Sequence, residues 1–195
     1  MPANNRETLR SLIADKAIVR GPITLSSGKV SAYYFDCRRL TLNADGAAAV
    51  GEAVVDAMAR FDPRPTAVGG LTNGADPIVG AAMHDAYARG IKLDGFYVRK
   101  EPKKHGTQKW IENEPAPGTP VLIVDDVVTS GKSVIDAIDR AEQEGSRVVG
   151  VVVIVDRLEG GGDQIRQRVP QAQYVALYNL HDFPEIEQIK QTVGL

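Results

Sequence analysis

Short apolar runs alternate with segments of helical period along most of the chain. The runs fall at residues 67–68, 95–98, 121–124, 148–155 and 174–177. Their Val- and Ile-rich stretches lack strict polar alternation, as suits strands covered on both faces. Between them, residues 44–60 place Val50, Val54 and Met58 at steps of four. Residues 76–89 open with Asp76 as a plausible N-cap and Pro77 at the first helical position, and Gly90 ends them. Residues 133–144 carry Ile135, Ile138 and Ala141 ahead of a stop at Gly145. The N-terminal stretch reads as an amphipathic helix with Leu9, Leu12 and Ile13 on one side. Strands and helices in alternation predict an α/β fold, an open and mostly parallel five-stranded sheet flanked by helices.

Two segments break the rhythm. Residues 21–42 read as a hairpin or small hood placed ahead of the main sheet, so that residues 1–42 form an N-terminal helix and hood. Residues 99–120 are polar, Lys-rich and punctuated by proline, without helical period. Loops of this length inside a compact domain are usually functional or disordered, and this one is expected to be a mobile catalytic loop.

Composition narrows the class. With 195 residues, 43% hydrophobic and 25% charged, the chain is expected to be one domain over residues 1–195 with a core of its own. A net charge of −2 disfavours a non-specific nucleic-acid coat. The single cysteine, Cys37, cannot form an internal disulfide, and no Cys/His grouping has zinc spacing. Without an apolar signal-type region or a run approaching ~18 apolar residues, the expectation is a soluble cytoplasmic protein with neither nucleic acid nor membrane as partner.

The chemistry concentrates in VLIVDDVVTSGKS, residues 121–133. An apolar strand ends in Asp125 and Asp126, and a turn rich in hydroxyls and glycine leads into a helix. Ligands of parallel α/β sheets sit beyond the carboxyl ends of strands. Free amides at a helix start attract phosphate, Gly131 permits close backbone approach, and Thr129, Ser130 and Ser133 add donors. Carboxylates just upstream are wrong for phosphate but right for sugar hydroxyls, which points to a phosphorylated sugar. A triphosphate P-loop is excluded, because Asp126 stands where its first glycine is required, and no G-x-G-x-x-G occurs. A turn whose acids merely cap the helix is the plainer alternative.

This segment resembles the 5-phosphoribosyl-1-diphosphate (PRPP) binding motif of type I phosphoribosyltransferases. Three more segments extend the resemblance over nearly the whole chain, toward the orotate-using branch: LSSGKVSAYYFDCR at 25–38, RKEPKKHG at 99–106 and IVDR at 154–157. The resemblance implies transfer of ribosyl-5-phosphate from PRPP to orotate, giving orotidine 5′-monophosphate and diphosphate in UMP biosynthesis. It implies catalytic roles for Lys103, Asp125 and Asp126, and PRPP contacts from Arg99, Lys100, Lys103, His105, Asp125, Asp126, Val127, Val128, Thr129, Ser130, Gly131, Lys132 and Ser133. Orotate is expected on Thr129, Arg157, Tyr34 and Phe35. Mg²⁺ is expected as cofactor, held mainly through PRPP and water rather than by a dedicated protein site. A homodimer that shares the 99–120 loop between subunits is implied as well.

The residues carry part of this unaided. Arg99, Lys100, Lys103, Lys104 and His105 make a dense donor set of the kind a departing diphosphate needs, although a solvated charged loop has the same composition. A guanidinium at the strand end, Arg157, suits a planar carboxylate. That feature favours orotate over a purine or another pyrimidine, while a PRPP-sensing nucleic-acid binder would need a basic face. Tyr34 and Phe35 could equally be packing residues of the hairpin. The chain departs from many bacterial members at Ser26, where lysine is common, and at Thr72-Asn73, where Tyr-Lys is common. Cys37, His84 and His181 read as ordinary packing or surface residues, Trp110 has no evident role, and residues 159–162 read as a flexible connection.

Overall fold

The computed structural model describes residues 3–24, 28, 30–102 and 109–194. All five apolar runs are strands of one sheet: β3 (Ala67–Leu71), β4 (Asp94–Val98), β6 (Pro120–Val128), β7 (Arg147–Asp156) and β8 (Gln173–Asn179). They are mutually parallel, in the order β4-β3-β6-β7-β8. The sixth strand, β5 (Ile111–Glu112), is antiparallel to β4 and lies inside the stretch expected to be loop. It adds a short mixed edge to the five strands expected. Ahead of the sheet, β1 (Ile18–Thr24) and β2 (Val30–Phe35) form a separate antiparallel hairpin, followed by the short helix α2 (Arg38–Thr41).

Alternation along β6 shows why its residues are apolar on both faces. Leu122 and Val124 join one core with α3 (Ala44–Met58), α4 (Ala75–Ala88) and the hairpin, while Val121 and Ile123 join a second core with α5 (Lys132–Gln143) and α6 (Gly161–Arg168). At roughly 25 cal/mol per Å² of buried apolar surface, these two layers supply the main force holding the sheet. Asn43 caps α3 by accepting from the Gly46 amide at 3.2 Å. Helix α4 starts at Ala75, one residue before the expected cap, so Asp76 lies in its first turn rather than ahead of it. Proline is tolerated there because first-turn amides have no intrahelical acceptor.

The N-terminal helix α1 (Ala3–Leu12) is tied to the far end of the chain and runs through a π-helical turn, Ile13–Ala17, into β1. Arg6 donates to the Leu177 carbonyl at 2.9 Å, and the Tyr178 hydroxyl donates to the Arg6 carbonyl at 2.6 Å. Arg10 pairs with Glu185 of α7 (Glu185–Val193) at 3.1 Å. These links seat the hairpin beside β7 and β8, where Phe35 meets Phe183 edge-on at 5.5 Å. Among the described residues, no helix is long and apolar enough to cross a membrane.

Candidate active site

The chain turns back on itself between β3 and β6. From β3 it proceeds to β4 on one side, and from β6 to β7 and β8 on the other. The two connecting helices, α4 and α5, join opposite cores. A crevice therefore opens at the carboxyl ends of β3 and β6, which is where open α/β sheets bind ligands.

Asp125 and Asp126 stand at that end of β6. The Asp126 amide donates to Asp125 Oδ1 at 3.0 Å, and the Val127 amide donates to Asp126 Oδ1 at 2.8 Å. Asp125 is only 6% exposed. Burial, and then the neighbouring Asp126 charge, push the Asp125 carboxyl up to about 7, and burial also raises Asp126.

The turn after β6 closes tightly. Gly131 has φ +78° and precedes α5 directly, and residues 127–134 with Asp125 line a small hollow of about 30 Å³. Successive amides in such a concavity attract an anion. Thr129 is half-buried, while Ser130, Lys132 and Ser133 are exposed. The back of this turn is made by a segment that the sequence disguised as a connection. The Gly161 amide donates to the Thr129 carbonyl at 3.0 Å, and a Cβ on Gly161 would lie 2.4 Å from that oxygen. Gly160, at φ +90°, starts α6 there. Gly161 and Gly162 are thus a packed brace, entered through the exposed Gly160, and the run of three glycines just after Arg157 was the available signal.

Across the crevice, residues 72–74 link β3 to α4. A Cβ on Gly74 would lie 3.0 Å from Oδ1 of both Asp125 and Asp126, so this backbone faces the acids directly. The Thr72–Asn73 peptide is cis.

The loop candidates divide. Arg99 and Lys100 line a cleft of about 500 Å³ together with Lys132 and Ser133 of the turn after β6. Arg99 pairs with Glu112 at 3.1 Å, and its amide donates to the Trp110 carbonyl at 2.8 Å. Trp110 gains a role here: the Arg140 guanidinium of α5 stacks 3.6 Å from its ring centre, fixing the loop's base. Lys103 and His105, with Lys104, Gly106 and Ser26, lie outside the described residues.

Arg157 follows β7 directly. Its amide donates to the Val128 carbonyl at 3.0 Å, and its guanidinium lies 5.3 Å from the Tyr33 ring centre. Tyr33 was not singled out from sequence. Tyr34 is exposed, whereas Phe35 is 3% exposed and packs among Tyr33 and Phe183. Adjacent residues of a strand face opposite sides, so the two expected aromatics do not form one wall.

No group of three or more His, Cys, Asp or Glu among the described residues could hold a metal by itself. Mg²⁺ binds through one or two carboxylates plus substrate phosphates and water, and the Asp125–Asp126 oxygens fit that donor set.

The raised Asp125 carboxyl has a consequence for stability. Its protonated form is favoured by the fold, so its contribution is complete below the ordinary 3.8 and is lost as pH rises to about 7. Asp125→Asn removes this loss. The variant is expected to melt several degrees above the parent at pH 8, given ~2–4 °C per kcal/mol at this size, with the gap closing toward pH 4. Equal melting temperatures at pH 8 would contradict the assigned burial cost.

Residues 44–169 match the phosphoribosyl transferase domain. The orotate phosphoribosyltransferase of Streptomyces avermitilis is 46% identical over 160 residues, covering 82% of this chain and 87% of that protein. The enzyme of the same name from Corynebacterium glutamicum strain ATCC 13032 is 44% identical over 163 residues, covering 84% and 86%. The crystal structure of the Mycobacterium tuberculosis orotate phosphoribosyltransferase in complex with PRPP has a TM-score of 0.77 at 36% identity, covering 91% of this chain and 98% of that one. With a shared fold and this level of identity across most of both chains, this chain belongs to the orotate phosphoribosyltransferase family.

Proposed function

We propose that the protein transfers ribosyl-5-phosphate from PRPP to N1 of orotate, forming orotidine 5′-monophosphate and diphosphate, in the cytoplasm. One observation carries the reading. The crevice at the ends of β3 and β6 gathers a buried acid pair and a tight amide-lined turn, and the Arg157 amide is bonded to Val128 of the same turn. Pentose hydroxyls belong on Asp125 and Asp126, the 5′-phosphate belongs on residues 129–133, and the acceptor's carboxylate belongs on Arg157 with Thr129.

Cleavage of the C1–O bond builds positive charge on the ribose and negative charge on the diphosphate. The ionised acids favour the first. Arg99, Lys100, Lys103 and His105 neutralise the second. Because the Asp125 carboxyl lies near 7, the free pair retains a share of a proton at neutral pH, and donors from the sugar draw it into the ionised form. Mg²⁺, when bound, adds positive charge beside the phosphates. Tyr34 offers the exposed aromatic face for the pyrimidine, with Phe35 as packing behind it. Closure of the loop would keep water from capturing the cationic sugar. Orotate loses its N1 proton readily, so no strong general base is demanded.

A homodimer completes this reading. Helix α4 packs on β4, and its outer side carries an apolar groove of about 830 Å³ with Met83 and Tyr87, the latter 85% exposed. Exposed apolar surface of this kind marks association sites. A second copy seated there would lie beside the start of β4 at Asp94, the strand whose far end at Val98 leads into the loop.

The direct test mixes protein, PRPP, Mg²⁺ and orotate and follows loss of orotate's ultraviolet absorbance, with adenine, hypoxanthine and uracil as rival acceptors. Rapid turnover of orotate alone is expected. Preference for any other base would overturn the assignment.

A further inference from the structure

Arg157 already holds a carboxylate. Its Nη2 lies 2.7 Å from Glu159 Oε1, while its Nε is buried with no hydrogen-bond partner among the described residues. The backbone between the two is shaped to bring them together. Leu158 adopts φ +57°, a left-handed conformation that residues bearing a side chain rarely take, and Gly160 follows at φ +90°. Asp156 Oδ1 accepts from the Leu158 amide at 2.8 Å. The Tyr174 hydroxyl donates to Asp156 Oδ2, also at 2.8 Å. A buried carboxylate therefore pins a disfavoured turn whose result is the Arg157–Glu159 pair.

The partners are unequal. The Arg157 side chain is 12% exposed and that of Glu159 is 50% exposed. Glu159 can return to water at little cost, whereas Arg157 is held over Tyr33. Nη2 is also the nitrogen common to both edges through which a guanidinium grips a carboxylate with two hydrogen bonds. A ligand carboxylate on the Nε–Nη2 edge would satisfy the orphaned Nε and would meet Glu159 at Nη2. Two carboxylates at one nitrogen repel each other.

We infer that Glu159 is an intramolecular competitor that sets the affinity for the acceptor, occupying Arg157 until the acceptor's carboxylate displaces it. The inference rests on Arg157 being the anchor for orotate. An acceptor without a carboxylate leaves the pair intact and gains nothing from Arg157.

The test uses the full chain carrying Glu159→Gln, which keeps size and polarity but removes the charge. The KM for orotate is expected to fall roughly three- to fivefold, in keeping with the upper end for a partly exposed ion pair. The value of kcat, the KM for PRPP and the weak use of uracil are expected to stay within twofold. In an Arg157→Ala background the same substitution should leave the orotate KM unmoved. An orotate KM that is unchanged or raised in the single variant makes Glu159 a support for Arg157, which overturns the proposal. Failure of the parent protein to consume orotate at all would overturn the function beneath it, and the proposal with it. Glu159→Ala, which must move orotate KM in the same direction, guards against an effect peculiar to glutamine.

Discussion

Lys103→Ala is expected to lower kcat by roughly 100- to 1000-fold while leaving the melting temperature unchanged. The magnitude follows from the bond that breaks. Negative charge appears on the diphosphate only as the C1–O bond opens, so a cation aimed there acts on the transition state more than on bound PRPP. One such donor is worth about 2.7–4 kcal/mol. The geometry permits the contact. Lys103 is five residues past the end of β4 at Val98, a reach of up to ~17 Å for extended chain. Strand β3 separates β4 from β6, which puts the acids about 10 Å away across the sheet. The same reach would serve a partner's site, and a mixture decides between them. Lys103→Ala combined with Asp125→Asn is expected to regain activity through mixed dimers if the loop acts across the interface. No recovery would assign the loop to its own subunit, and parental turnover in Lys103→Ala would remove the lysine from the mechanism altogether.

What was legible in the sequence depended on whether a local pattern carried the information. The central strands β6 and β7 are continuous Val- and Ile-rich runs, a pattern that burial on both faces requires, and the shorter apolar runs of β3, β4 and β8 flank them in the sheet. Strand β5 has only Ile111 and Glu112, held by pairing with Val98 and Tyr97, and no hydrophobic period can announce two residues. Helix α6 was missed for a related reason: beyond its two buried glycines, Ile165 is its only buried residue. The acid pair and the turn after it were readable because strand end, carboxylates and helix start are consecutive. The brace behind that turn was not, since Gly161 meets Thr129 only once α6 has packed beside β6. Such a contact across some thirty residues leaves no mark except the choice of glycine. Tyr34 and Phe35 divide as neighbouring strand residues must, one exposed and one packed in the core.

The second large effect belongs to Arg157. Arg157→Ala is expected to raise the KM for orotate by about 30-fold to several thousand-fold, as truncating one member of a buried charge pair costs ~2–5 kcal/mol. The KM for PRPP should stay within about twofold, because the acids and the amide turn proposed to take the sugar phosphate do not depend on the guanidinium. The Arg157 amide, bonded to the Val128 carbonyl, is retained in the variant and keeps that turn in place. Arg157→Lys separates charge from shape. A lysine keeps the positive charge but cannot offer two parallel N–H groups, so its loss should fall between those of the parent and the alanine variant. If alanine raised both KM values together, Arg157 would be a scaffold for the phosphate turn and the acceptor's carboxylate would have to bind elsewhere. If only orotate is affected, the choice of an anionic pyrimidine over a neutral one comes down to a guanidinium held, nearly buried, at the end of β7.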